Sequence, residues 1–284
     1  MTEKIYKAQN RAFSLLEEKG VDSGSVRLLL QHITGFSHAA LLANLQSELT
    51  EIESKQFWQQ IDELAEGKPI QYVIGYESFY GRIFTVDEHV LIPRPETEEL
   101  VYGALERKKR LFKNQDLKCA DIGTGSGAIA VTMKLECPTL HVTATDISRD
   151  ALNIAEKNAT DLQAEIQFRQ GDLAEPLANE KWDIILSNPP YIGQDEVAEM
   201  TASVFTHEPH LALFADEDGL ACYRKLANEL PSIMKIPGLI GLEIGYLQGE
   251  AVKALFHEAF PDAVIDIVQD INGKDRMIFC ELNE

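Results

Sequence analysis

Asn188-Pro189-Pro190-Tyr191 directly follows the apolar run Trp182-Asp183-Ile184-Ile185-Leu186-Ser187. Aromatic and β-branched residues dominate the run and prolines end it, which predicts a buried strand. The tetrapeptide then sits at a strand's carboxyl end, where open α/β sheets hold their ligands. Consecutive prolines have no N–H to donate, so the turn offers carbonyl acceptors beside the Asn188 amide and the Tyr191 ring. Such a turn suits a planar, neutral NH2 group. Asn-Pro alone is more often an ordinary strand-ending turn. The complete tetrapeptide, with a glycine-rich loop about sixty residues upstream, favours a site.

That loop is Asp121-Ile122-Gly123-Thr124-Gly125-Ser126-Gly127, which follows one predicted strand and precedes a predicted helix. Glycines let the backbone turn sharply and let a ligand approach the loop amides near the positive end of the next helix. With Ala128 the string also fits the dinucleotide pattern, so the loop alone does not choose a cofactor. Asp146 closes the next strand, nineteen residues beyond Gly127, where a carboxylate can accept both ribose hydroxyl hydrogens. Asp172, after the third strand, could accept from an adenine amino group, with Leu173 packing on the base. For both acids the plain alternative is a helix cap. NAD and S-adenosylmethionine are the two candidate adenosyl ligands. A dehydrogenase needs a group that exchanges a proton with its substrate, and nothing near Asn188 offers one. Methyl transfer needs only an aligned nucleophile, so S-adenosylmethionine fits better.

The elements that must position these residues alternate from Lys118 onward: strands near Cys119–Ile122, His141–Thr145, Ile166–Arg169, Trp182–Leu186 and Leu239–Ile244 interleave with helices. That spacing predicts βαβ units in a mostly parallel α/β sheet. Two final strands joined through Asn272-Gly273 predict a C-terminal antiparallel hairpin. Upstream, residues 1–69 read as a small helical bundle. Its fourth helix begins at Thr50, with Glu53 as a possible capping-box partner and Gly67 and Pro69 as stop signals. Residues 70–92 carry alternating aromatic and β-branched residues punctuated by Gly75 and Gly81, which predicts a β-hairpin linker. The prolines of Pro93-Arg94-Pro95 then lead into a helix whose first turn holds Glu96, Thr97, Glu98 and Glu99. Arg94 and Glu96 are expected to be solvated or to pair with each other.

The chain has 284 residues, enough for one large domain and a small one, with 46 acidic against 26 basic residues for a formal charge of -20. A uniformly acidic surface repels phosphate backbones, which disfavours a DNA substrate. The same charge also serves solubility. Four scattered cysteines form neither a CxxC pair nor a metal-ligand spacing, so reduced thiols in a cytoplasmic protein and no metal are expected. No signal-peptide core and no transmembrane-length apolar stretch is read in the sequence.

These residues together resemble the release-factor glutamine methyltransferase (PrmC/HemK) family, class I S-adenosylmethionine-dependent methyltransferases with an NPPY motif. Beyond the widely shared Asp121–Gly127 loop, the resemblance rests on Pro69-Ile70-Gln71-Tyr72-Val73-Ile74-Gly75, Leu91-Ile92-Pro93-Arg94-Pro95-Glu96-Thr97-Glu98, and Glu208-Pro209 with Ala212-Leu213. Asp218-Gly219-Leu220 with Tyr223, Leu242-Glu243-Ile244-Gly245 and Asp275-Arg276 extend it over nearly the whole chain. It implies a Rossmann-like methyltransferase domain over 93–284 and a substrate-recognition role for the bundle 1–69. It implies that the side-chain amide nitrogen of the glutamine in a Gly-Gly-Gln segment of class I peptide-chain release factors receives the methyl group. In that arrangement Asn188 and the Pro189 carbonyl accept the two amide hydrogens, and Tyr191 packs against the amide plane. Gly123 to Gly127, Asp146, Asp172, Leu173 and Asn188 would hold S-adenosylmethionine. A monomer is the default expectation. The closest competing reading is an adenine-N6 DNA methyltransferase, whose exocyclic amine presents the same two hydrogens. A non-catalytic S-adenosylmethionine-binding module is the competitor from another class.

Overall fold

A computed structural model of the chain describes residues 3–112, 116–193 and 202–283. They fall into two units, Met1–Tyr76 with Thr201–His207, and Glu77–Met200 with Glu208–Glu284. The first unit is helical: α1 (Ile5–Glu18), α2 (Gly24–Thr34), α3 (His38–Ala43), α4 (Glu51–Ala65) and α5 (Ile70–Ile74). Ala8, Ala12 and Leu16 of α1, Val26, Leu29 and Leu30 of α2, and Phe57 and Ile61 of α4 recur at helical spacing and share one core. The capping box forms, with the Thr50 hydroxyl accepting from the Glu53 amide and the Glu53 carboxylate accepting from the Thr50 amide. Residues 70–74 are helical, where the sequence predicts the start of a hairpin. Pro69 and a left-handed Gly75 bracket these five residues, and burial of Ile70 and Tyr72 overrides the β propensity of the segment.

From the last residue of the first unit into the second, β1 (Tyr76–Phe79) and β2 (Arg82–Thr85) form the hairpin. Its two-residue turn has positive φ at both Tyr80 and Gly81, the backbone of a type I′ turn, whose twist matches the flanking strands. No strand follows between Asp87 and Ile92. The Asp87 side chain instead accepts from the His89 amide at 3.0 Å and closes a local turn.

The chain continues through α6 (Pro95–Leu111), β3 (Lys118–Ile122), α7 (Ala128–Glu136), β4 (His141–Asp146), α8 (Arg149–Asp161), β5 (Ile166–Gln170), β6 (Trp182–Ser187), α9 (Ala202–His207), α10 (Ala221–Glu229), β7 (Met234–Glu243), α11 (Gly249–Ala259), β8 (Val264–Gln269) and β9 (Asp275–Leu282). Of these α9 belongs to the first unit, where the Ser203 hydroxyl donates to the Gly67 carbonyl at 2.7 Å. The strands form a seven-stranded sheet in the order β5-β4-β3-β6-β7-β9-β8. Strands β3 to β7 pair in parallel, and β9 runs antiparallel between β7 and β8.

Side-chain alternation divides the core between the two faces of this sheet. Ile184, Leu186 and Phe279 join Leu100 and Val101 of α6 and Ala130 and Val131 of α7 on one face. Ile185, Ile240 and Ile278 join Tyr223 of α10 and Phe256 of α11 on the other. The strand order reverses between β3 and β6, and both loops singled out in the sequence leave the sheet there. In an open α/β sheet this switch point is where a crevice opens.

Candidate active site

Parallel pairing sets Ile122 of β3 opposite Ser187 of β6, and Ser187 opposite Leu242 of β7. Gly123, Asn188 and Glu243 therefore reach the carboxyl edge of three adjacent strands at one level. A cavity of about 310 Å³ opens there, lined by Gly123, Thr124, Gly125, Ser126, Asp146, Asp172, Leu173, Asn188 and Pro190 among others. Gly127, Pro189 and Tyr191 are not on its wall.

The glycine loop forms because its backbone visits the left-handed region, with φ of 71° at Gly123, 53° at Gly125 and 82° at Gly127. A Cβ at Gly123 or Gly125 would meet no atom within 4 Å, so the concavity left there is open to a ligand. At Gly127 a Cβ would lie 3.1 Å from Ala155 Cβ, and that glycine serves the packing of α7 on α8. The loop amides turn inward: Gly123 and Thr124 donate to the Thr145 carbonyl and Gly125 donates to Asp146. What the loop offers a ligand is close approach of the backbone, in place of the amide donors expected from the sequence. Buried Asn158 braces it, donating to the Ser126 and Thr85 carbonyls at 2.8 and 2.9 Å.

Asp146 accepts from the Gly125 amide through Oδ2 and from the Ser148 amide through Oδ1, each at 2.9 Å. Burial raises its pKa, and these donors pull it back. Each oxygen keeps a second lone pair, enough for a diol. The cap of α8 is Ser148, which accepts from the Ala151 amide, so Asp146 is not a helix cap. Asp172 lies two residues past β5 and pairs with Lys225 of α10. Leu173 stands beside it at a φ of 48°. Deeper, Asp121 accepts from the Thr124 hydroxyl at 2.6 Å and from the Ala130 amide at 3.1 Å, and burial pushes its pKa up to about 7. The glycine cradle, the carboxylate after β4 and the apolar ledge at Leu173 fit an adenosyl ligand.

The Asn188 amide group donates through Nδ2 to the Thr97 hydroxyl at 3.2 Å. Thr97 hydrogen-bonds Glu243 Oε2 at 2.6 Å. Tyr191 stands behind the wall. Its hydroxyl hydrogen-bonds Glu243, and its carbonyl accepts from Gln248 Nε2 at 2.8 Å. Burial raises the Tyr191 phenol well above its ordinary range. Arg94 does not pair with Glu96. Its guanidinium reaches the buried Glu208 at 2.5 Å, while Arg94 and Pro209 both line the cavity.

Two family models match the chain: the PrmC N-terminal domain over residues 7–75 and the methyltransferase small domain over residues 107–217. A release factor glutamine methyltransferase of Bacillus cereus is 46% identical over 281 residues, covering 98% of this chain and 99% of the relative. One from Bacillus subtilis is 46% identical over 98% of this chain and 97% of its own. A third, from Enterococcus faecalis, is 40% identical over 99% of this chain and 100% of its own. The chain belongs to the release factor glutamine methyltransferase family. Among solved structures, a methyltransferase from Pyrococcus furiosus superposes with a TM-score of 0.54 at 14% identity, covering 80% of this chain and 99% of that one. A ribosomal protein L11 methylase from Lactobacillus delbrueckii subsp. bulgaricus gives 0.50 at 21% identity, over 74% and 91%. These likenesses establish the class I methyltransferase fold.

Several residues of this family member's site carry no signal in local sequence. Thr97 and Glu243 read only as parts of motifs, because no spacing tells which hydroxyl and carboxylate will meet behind Asn188. His89, Val90 and Leu91 line the cavity from a stretch read as strand. Ile147 and Leu211 do so while remaining 53% and 72% exposed, a rim that resembles any loop in one dimension. Among the described residues no group of three His, Cys, Asp or Glu side chains is placed to hold a metal. No described helix is long and apolar enough to cross a membrane.

Proposed function

We propose that the chain methylates the side-chain amide nitrogen of a protein glutamine, in the Gly-Gly-Gln segment of class I peptide-chain release factors, with S-adenosylmethionine as donor. One observation carries the reading: Asn188 lines the cavity beside the glycine cradle with its Nδ2 already engaged by Thr97. Its Oδ1 is left as the acceptor for an incoming NH2 group. Bound in the cradle, S-adenosylmethionine supplies an electrophilic methyl group on a sulfonium.

The chain's own residues have a defined task. An amide nitrogen is weakly nucleophilic because its lone pair is delocalised, so the site must fix its orientation and stabilise the charge that grows on it. Asn188 Oδ1, on the cavity wall, is assigned as acceptor for one amide hydrogen, and the adjoining Pro189 carbonyl, off that wall, for the other. Asn188 is no base, since an amide takes no proton near neutral pH. The nitrogen becomes acidic once alkylated, and its proton then leaves to solvent without a dedicated base. The same acceptors reject a glutamate, whose carboxylate has no hydrogens to give; sites of this type discriminate by roughly 10⁴-fold. Asp146 is assigned to the ribose hydroxyls and Asp172 with Leu173 to the adenine. The N-terminal bundle is assigned to recognition of the protein substrate.

The test is to incubate the protein with radiolabelled S-adenosylmethionine and, separately, release factor, its Gln→Ala form, duplex DNA and ribosomes. Label is expected on release factor and absent from its Gln→Ala form. Label on DNA without label on release factor would establish the adenine-N6 reading instead.

A further inference from the structure

We infer that Glu243, acting through Thr97, is the positioning residue that fixes which end of the Asn188 amide faces the substrate. This rests on Asn188 being the acceptor proposed above, and adds a determinant of its glutamine-over-glutamate specificity. Thr97 and Glu243 are 5% and 2% exposed, so their partners are set mainly by the protein's own groups.

Proton counting sets the direction. An ionised carboxylate has only acceptors, so in the 2.6 Å contact the Thr97 hydroxyl donates its single proton to Glu243. The Thr97 oxygen then has only lone pairs for Asn188, and the 3.2 Å partner has to be the asparagine NH2. Oδ1 is thereby turned out. Oxygen and nitrogen of an asparagine side chain are nearly equal in shape, so packing alone does not choose between them. A chain of hydrogen bonds that ends in a pure acceptor does.

The groups around Glu243 bear on its ionisation from several elements. Arg276 of β9 and the hydroxyl of Thr97 favour the carboxylate, and Glu96 of α6 opposes it. Tyr191, after β6, hydrogen-bonds the carboxylate, and Tyr223 of α10 donates to the Glu243 carbonyl at 2.8 Å. Burial pushes the carboxyl up to about 7. The relay therefore runs in the stated direction above that pH; below it a protonated Glu243 donates to Thr97 and the relay runs in reverse, with the asparagine NH2 outward.

The two effects of breaking the relay differ in size. A freed asparagine still reaches the productive orientation, and the ordering of one side chain on binding lowers kcat/KM for glutamine by only about 3- to 10-fold. The same freedom lets it present NH2 to a carboxylate, which removes part of the repulsion that excludes glutamate.

The experiment measures, well above pH 7 where Glu243 is ionised, methyl transfer to a release factor carrying Gly-Gly-Gln, with the same factor carrying Gly-Gly-Glu as competitor. The wild type is expected to ignore the competitor. Thr97→Val should lose about 3- to 10-fold in kcat/KM and become inhibited, with an inhibition constant at least about tenfold below that of the wild type. Thr97→Ser, which keeps the hydroxyl and drops the methyl group, should reject the competitor as the wild type does. Glu243→Gln serves as the second break if Thr97→Val does not fold, since its amide can run the chain in either direction. Unchanged rejection of the glutamate form by folded Thr97→Val or Glu243→Gln overturns the inference, as does equal damage from Thr97→Ser. If the wild type fails to label release factor, the functional reading falls, and the relay is read without substrate. The Asn188 side-chain amide protons, identified in ¹⁵N-labelled protein by their loss in Asn188→Ala, should exchange slowly and shift in Thr97→Val. Resonances unchanged by that substitution would sink the relay.

Discussion

Ser187 stands opposite Ile122 in the parallel register of β6 and β3, and its hydroxyl donates to the Ile122 carbonyl at 2.7 Å. This contact locks together the last residues of the two strands from which the glycine loop and the Asn188 turn emerge. A slip of one residue would exchange the faces of every side chain on β6 and withdraw Asn188 from Gly123. The chemistry depends on sheet register as directly as on the residues that carry it.

Replacing Asn188 with alanine removes the acceptor and leaves the cradle untouched. Methyl transfer to release factor is expected to fall by at least about 100-fold. The dissociation constant for S-adenosylhomocysteine, measured by calorimetry, should stay within about threefold. Near-normal turnover would show that the substrate amide is held elsewhere.

Asp146 serves both the loop and the assigned ribose. Asp146→Ala deprives the Gly125 and Ser148 amides of their acceptor, and loss of hydrogen bonds to a charged group is expected to weaken cofactor binding by roughly 10- to 100-fold. Asp146→Asn should be nearly as damaging, because its NH2 must face one of those two N–H donors. Equal affinities for the wild type and Asp146→Ala would remove Asp146 from the binding site.

Two glycines of one loop should fail in different ways. Gly127→Ala places a Cβ 3.1 Å from Ala155 Cβ at a φ of 82°, and should lower stability by about 2 kcal/mol. That corresponds to a fall of several degrees in Tm for a domain of this size. Gly125→Ala meets no atom; left-handed strain alone gives about 1 kcal/mol, while its methyl group fills the cradle. Its loss should appear mainly in cofactor affinity. Thermal melts with and without S-adenosylhomocysteine separate the two.

Glu243 makes stability depend on pH with a definite sign. Burial raises its folded-state pKa from 4.5 to about 7, so between those values the folded chain binds more protons than the unfolded one. Stability from this group is complete below about 4.5 and is lost as pH rises through about 7, with a slope of at most about 1.4 kcal/mol per pH unit. Glu243→Gln lacks this dependence. Its Tm minus that of the wild type should therefore become more positive from pH 5 to pH 7 and level off above. A difference that falls over the same interval would contradict the assigned direction.

The sequence by itself determined what is local or periodic. Alternating strands and helices specified a mostly parallel sheet because period-2 and period-3.6 apolar patterns cannot substitute for each other. Gly123 and Gly125 announced the cradle because other side chains resist a positive φ, and Thr50 with Glu53 announced a capping box because both partners lie within one turn. Where local cues conflicted, the reading failed. Ile70–Ile74 has strand-forming residues yet is helical, since bracketing Pro69 and Gly75 and burial against the bundle outweigh propensity. Only tertiary structure decided what depends on separation along the chain. It brought Thr97 to Glu243 across 146 residues, and it drew Arg94 to Glu208 across 114 rather than to nearby Glu96. It placed the Tyr191 hydroxyl against Glu243 of a neighbouring strand. Such pairings follow from strand order and register, which arise from the packing of two cores on one sheet, and no short stretch of residues encodes them.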